Sequence, residues 1–230
     1  MKKIIILLLI LLCGCGVDEQ PRTTKAVIVP HHDIALGMAE EVISPLADIN
    51  PKTIILVGPN HTANGPKITS TSDGAKISRL IGANDVLIEN EHSVGNLMPL
   101  VKKYFPDANV IPIIFQKGVP FDNAKKVMEA AFFQPDVIVI ASIDFSHGLS
   151  SQEEKMRRGK MEEYIKGFDS AAIMGLDETY LDAPVVLAAL LEVLKENVVH
   201  NADIIAGANA SDILGAEVPD ATGYLTVTLY

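Results

Sequence analysis

Three stretches of the chain are continuously apolar where a half-exposed strand would alternate with polar residues. They are Ala26-Val-Ile-Val-Pro30, Thr53-Ile-Ile-Leu-Val-Gly58 and Asp136-Val-Ile-Val-Ile-Ala-Ser142. Such runs predict strands covered on both faces, as in the middle of a parallel sheet. Between the first two, Met38, Val42, Ile43, Leu46 and Ile49 recur near helical spacing, which predicts a helix over Gly37 to Asn50, bent or split at Pro45. Strand, helix and strand make a βαβ unit with neighbouring parallel strands. Lys67 to Asp73 and Asp85 to Glu89 read as short strands on a small antiparallel edge. Val94 to Phe105 reads as a helix, Asn109 to Phe115 as a buried strand despite Pro112, and Phe121 to Phe133 as a helix. The charge run from Gln152 to Phe168 predicts a solvated helix with i,i+4 pairs. Pro184 to Lys195 predicts an apolar helix with proline in its first turn, and Asp203 to Gly207 and Thr222 to Tyr230 close the chain as strands. No linker interrupts residues 26–230. The expected fold is therefore one α/β domain with a mostly parallel central sheet and helices on both faces.

Each of the three apolar runs leads into a histidine. The first meets His31, His32 and Asp33, the second ends at Pro59-Asn60-His61, and the third continues to Asp144, Phe145, Ser146 and His147. Parallel sheets carry their functional groups beyond the carboxyl ends of the strands, so a polar pocket is expected there. Imidazole suits zinc, iron, copper and nickel, and three ligands with an open position make a catalytic arrangement. His31, His61 and His147, each from a different strand end, are the expected metal ligands. The alternative is that these histidines cap loops or bond backbone carbonyls. His32 and Asp33 are expected beside the ligands, orienting His31 or taking a proton. Asp144 is a ligand or acid–base group, or else a cap on the turn after its strand. His92, which opens a predicted helix, is a proton shuttle or merely the helix entrance. Ser146 beside His147 invites a hydrolase reading, but adjacent residues rarely form a nucleophile–base pair and no Gly-x-Ser-x-Gly elbow is present. No glycine-rich phosphate-binding pattern occurs either.

Composition narrows the partners. The 230 residues carry 19 Lys+Arg against 29 Asp+Glu, a net charge of −10, with no basic cluster. That disfavours nucleic acid, which is bound mainly by neutralising phosphates. Both cysteines, Cys13 and Cys15, fall in the N-terminal segment, so the body has neither a disulfide nor a cysteine zinc site. Lys2-Lys3 followed by the apolar Ile4 to Leu12 is too short to span a bilayer and suits a secretory signal. Leu12-Cys13-Gly14-Cys15 resembles a bacterial lipobox, with Cys15 as the lipid-modified residue. Residues 1–15 are thus expected to be a lipoprotein signal, 16–25 a tether and 26–230 the domain, held outside the cytoplasm on a membrane surface.

Pro30-His31, Gly58-Pro59-Asn60-His61, Glu91-His92-Ser93 and Ala141-Ser142-Ile143-Asp144-Phe145-Ser146-His147, in this order, resemble the Memo family. Its bacterial and archaeal members are called AmmeMemoRadiSam system protein B. The resemblance covers nearly all of residues 26–230, including Ala221-Thr222-Gly223-Tyr224. That family is similar in fold to class III extradiol dioxygenases, which use non-haem Fe(II). The resemblance implies a pocket in which His31, His61 and His147 bind a divalent metal, iron first, with copper or zinc as alternatives. Three departures stand out. His32-Asp33-Ile34 replaces Ala-Gly-Tyr, and Gly95 and Leu97 stand where an acidic residue and a glutamine follow Glu-His-Ser. Thr179-Tyr180-Leu181 replaces the segment bearing the family's pocket cysteine. Tyr180 or Asp182 is then expected to fill that space, hardening the site toward iron, manganese or zinc. The functional expectation is a non-haem metal-dependent redox enzyme or oxygenase acting on an unidentified small molecule. The alternatives are a non-catalytic lipoprotein binding a metal or small ligand, and a hydrolase using metal-bound water.

Overall fold

The computed structural model describes residues 23–230, so the expected signal, Cys15 and positions 16–22 of the tether lie outside the described residues. The three apolar runs form β1 (Ala26–Val29), β2 (Thr53–Pro59) and, after β3 (Ile68–Ser70), β4 (Gly82–Ala83) and β5 (Asn109–Phe115), the strand β6 (Val137–Ser142). The chain then adds β7 (Phe145–Leu149), β8 (Ala202–Asn209) and β9 (Ala221–Leu229). All nine join one sheet in the order β4-β3-β5-β2-β6-β1-β9-β7, with β8 also paired to β9. The centre, β5-β2-β6-β1, is parallel. The flanks are antiparallel where β3 meets β5 and where β9 meets β1, β7 and β8. The result is an α/β fold with a mixed sheet whose parallel strands occupy the middle.

Helices on both faces explain why the central strands are apolar without alternation. In β2, Ile54 and Leu56 enter one core while Ile55 and Val57 enter the other; β1 divides Val27 and Val29 from Ala26 and Ile28 in the same way. One face is covered by α1 (Leu36–Ile43), α2 (Asp85–Asn90), α3 (His92–Gly95) and α4 (Met98–Tyr104). The other is covered by α5 (Phe121–Phe132), α6 (Ser151–Lys166), α7 (Ser170–Met174) and α8 (Pro184–Glu196). The connections β1→β2 and β2→β5 step across the sheet in one direction over the first face. The β5→β6 connection returns the other way over the second, as crossovers of one hand require. The short α9 (Ala210–Leu214) joins β8 to β9.

Most predicted elements are present, and three differ. Pro45 splits the first helix as expected, since Ser44–Ile49 continues as a 3-10 turn. Asp85 to Glu89 is helix, not strand: the Asn84 side chain accepts the Leu87 N–H at 3.0 Å, and Leu87 and Ile88 turn inward while Val86 stays exposed. That cap overrides an apolar triplet that reads equally well as a strand. The Val94 to Phe105 helix is two helices, because Pro99 starts a new one at α4. Phe145 to His147 is not a loop but the start of β7, which pairs with β9 through a bulge. Among the described residues, no helix is long and apolar enough to cross a membrane.

Candidate metal centre

The sheet register delivers the central residues. β6 lies between β1 and β2, with Val29 opposite Ser142 and Val57 opposite Ala141. His31, His61 and Asp144 each stand two positions past the end of their strand, so they meet above one sheet edge. The His31 backbone N–H donates to Asp144 Oδ1 at 3.0 Å. Asp182, just ahead of α8, is locked to the same turn. Its backbone N–H donates to the Asp144 carbonyl at 3.1 Å, and its Oδ2 accepts the Asp144 N–H at 3.3 Å.

The hydrogen bonds around the two imidazoles fix which nitrogen of each faces Asp182. Ser142 Oγ lies 3.0 Å from His31 Nδ1 and also bonds the Ser93 carbonyl. A carbonyl only accepts, so the Ser142 proton goes to Ser93, and His31 Nδ1 must carry the proton it shares with Ser142. Nε2 is left bare, 3.4 Å from Asp182 Oδ2 and 3.6 Å from Asp144 Oδ2. His61 follows the same logic. Its Nδ1 donates to Glu91 Oε1 at 2.8 Å, and its Nε2 lies 3.7 Å from Asp182 Oδ2. Glu91 is buried and held by the N–H groups of His61 at 3.0 Å and Ser93 at 3.2 Å, so it caps α3 while it orients His61. Two Nε2 atoms therefore converge on one carboxylate, with their partner nitrogens tied back, the arrangement by which proteins present histidine to a metal.

Electrostatics follows from the crowding. Burial pushes His31 down to about 4, against the pull of Asp182. Burial raises Asp144 to about 7, and the negative charge of Asp182 adds to it. Burial alone would lower His61, but the carboxylates of Asp182 and Glu91 outweigh it and hold the ring up at about 9. Burial works to raise Glu91, and the His61 hydrogen bond with the Ser93 N–H brings it below its usual value. A positive charge is thus favoured between these residues, and in the chain alone a proton on His61 supplies it. Asp182 Oδ1 is buried without a hydrogen-bond partner among the described residues. A bare Nε2 on His31 and a protonated Nε2 on His61 that a cation would displace, facing carboxylate oxygens of which one is unsatisfied, fit a divalent cation.

The expected residues are brought together unequally. His31, His61 and His92 have donor atoms within 4.8 Å of one another, as do those of His31, Asp144 and Asp182. The His92 ring stacks on His61 with centroids 4.1 Å apart, and its Nδ1 lies 3.3 Å from Glu91 Oε1. His92 is half exposed, between solvent and the buried carboxylates. His147 is in neither group. It lies on β7 with Nδ1 3.4 Å from Thr222 Oγ1, because the chain resumes a strand after Asp144 and Ser146 takes a left-handed φ of 40° there. His32 turns to the Tyr224 hydroxyl at 2.8 Å, and Asp33 accepts from Asn96 Nδ2 at 2.9 Å. That Asn96 amide also donates to the His31 carbonyl at 3.0 Å. Tyr180 places its ring under the Arg157 guanidinium at 4.7 Å, so Asp182 is the residue that enters the cluster. Ser146 Oγ is buried without a hydrogen-bond partner among the described residues, and no base activates it. Glu91 and Ser142, which both stand inside the quoted motifs, hold the Nδ1 atoms of His61 and His31.

No protein-family model matches the chain. A MEMO1 family protein of Methanopyrus kandleri is 22% identical over 91% of this chain and 84% of its own length. Another, of Thermotoga maritima, is 22% identical over 78% of this chain and 72% of its own. A third, of Thermococcus onnurineus, reaches 30% identity over 57% of this chain and 56% of its own. The crystal structure of an uncharacterized protein from Escherichia coli K12 shares the fold, with a TM-score of 0.57 at 10% identity over 90% of this chain and 99% of that one. With the motifs in order and the strand-end cluster assembled, the chain is similar to the MEMO1 family proteins over most of its length.

Proposed function

We propose that this protein is a non-haem metal-dependent oxidoreductase whose divalent ion, iron, is held by His31, His61 and Asp182. The observation that carries the reading is the convergence of the His31 and His61 Nε2 atoms on Asp182 Oδ2, at 3.4 and 3.7 Å, with both Nδ1 protons committed elsewhere. Two histidines and one carboxylate with open positions are the donor set of non-haem Fe(II) oxygenases, whose metal binds substrate and O₂ side by side. Asp144, with its affinity for protons raised into the neutral range, holds or releases a proton beside His31. His92, stacked on His61 and half exposed, carries protons between that site and solvent. Glu91 and Ser142 set the tautomers of His61 and His31.

Elemental analysis of the purified chain and of His31→Ala, His61→Ala, Asp182→Ala and His147→Ala tests the ligand set. The first three are expected to lose most of the metal, and His147→Ala to keep it. Full metal content in all four variants sinks the assignment. O₂ consumption after anaerobic Fe(II) loading tests the chemistry, and firm metal binding without turnover would leave a non-catalytic metal protein. We also propose that Cys15 carries a lipid that holds the domain on an extracytoplasmic membrane surface. Cys15→Ser should then move the protein out of the membrane fraction.

A further inference from the structure

We infer that the cleft beside Asp182 is the substrate pocket of this centre, and that it takes a small molecule with an apolar body ending in a single oxygen donor, the chemistry of a short monocarboxylate. The inference rests on the metal reading above. The cleft opens between the β5→α5 turn and the α7→α8 connection, with a volume of about 280 Å³. Phe115, Val119, Leu176, Val185 and Val186 supply the walls, and Asp182 is common to the cleft and to the histidine cluster. Phe115 ends β5, next to β2 in the sheet, so the cleft lies along the same carboxyl edge that carries His61.

The placement of charge sets the orientation and class of ligand. At the inner end, Asp182 is an acceptor facing the Nε2 atoms of His31 and His61, so with the cation bound only a further donor atom for it is useful there. At the outer end, Lys117 and Glu178 come from opposite walls and pair at 2.5 Å, leaving no unpaired charge from that couple for a second ligand group. Asp177 and Glu178 also line the opening. A second carboxylate on the ligand would sit either against apolar walls or beside these acids, and both are costly.

The test uses the full chain loaded with Mn(II), with hexanoate as probe and acetate and succinate as controls. Calorimetry should show hexanoate binding at least about tenfold more tightly than either control. Paramagnetic broadening should be strongest at the hexanoate C2 protons and weakest at the terminal methyl. Leu176→Asp and Val185→Asp, which place a charge on the walls, should weaken hexanoate by about tenfold or more while Mn(II) stoichiometry is unchanged. Lys117→Ala should change it by less than about threefold. Retained stoichiometry separates a blocked cleft from a misfolded chain, and Val185→Thr gives a milder version of the same comparison. Uniform broadening, or equal affinity in the aspartate variants, overturns the inference. Mn(II) uptake with no hexanoate preference overturns the cleft and leaves the metal reading standing. Hexanoate binding to a chain that takes up no Mn(II) overturns the metal reading and the donor-end assignment with it.

Discussion

Glu91 shows how one buried side chain can govern a site without facing a ligand. It is 1% exposed, and it accepts from His61 Nδ1 and from the His61 and Ser93 backbone N–H groups. Glu91→Gln keeps the shape but not the charge, and its amide cannot accept at both oxygens. Outer partners of metal-bound histidines are typically worth about 10–100-fold in metal affinity, and that loss is expected here, measured by competition with a chelator. An unchanged affinity would mean that Glu91 only caps α3. The second residue-scale prediction concerns pH. In the metal-free chain His61 holds a proton up to about 9 and Asp144 up to about 7. A metal must displace the His61 proton, so affinity should rise with pH through the neutral range and flatten above about 9, with protons released on loading in weak buffer. A flat profile between pH 6 and 8 would show that His61 is not displaced. The histidines were legible because each closes an apolar run. Glu91 was not, since nothing in Glu91-His92-Ser93 tells a reader which of the three turns inward. His147 belongs to a strong motif, yet it stands apart from the grouped donors because a bulged strand begins between it and Asp144.

At the scale of elements, the site depends on how closely α3 sits on the end of β2. Gly58 makes this possible. A Cβ there would lie 2.9 Å from Ser93 Oγ, 3.0 Å from Ser93 Cβ and 3.4 Å from Ser142 Cβ. Ser93 is pinned in turn, its hydroxyl donating to the Pro59 carbonyl at 2.7 Å and its N–H to Glu91. Gly58→Ala therefore pushes α3 outward and carries Glu91 and His92 with it. A destabilisation of about 1–3 kcal/mol is expected from overpacking, together with weakened metal binding, measured by urea unfolding and metal titration of the same variant. Stability loss with wild-type metal affinity would show that the site tolerates movement of α3. The central strands were readable because burial on both faces leaves no polar positions to confuse the pattern. The short elements were not, since α2 and β4 are decided by one cap and two residues of pairing.

For the molecule as a whole, the proposed ligands come from positions 31, 61 and 182, which no local segment connects. A metal shared among them would tie the β1, β2 and α8 ends of the fold together and would be absent from the unfolded chain. Ligands that bind only the native state stabilise it by mass action, by about 2.7 kcal/mol at a hundredfold excess over the dissociation constant. In a chain of this size each kcal/mol raises the melting temperature by roughly 2–4 °C, so loading should shift it by about 5–11 °C. The shift should vanish in Asp182→Ala and persist in Lys117→Ala, because the first removes a ligand and the second only an exposed ion pair. The control matters, since acidic surface groups also collect divalent ions weakly. With 29 Asp+Glu against 19 Lys+Arg, such binding would raise stability in every variant alike. An equal shift in His31→Ala, Asp182→Ala and the parent chain would locate the metal on the surface, and the strand-end cluster would then be a buried network of hydrogen bonds held together by the proton on His61.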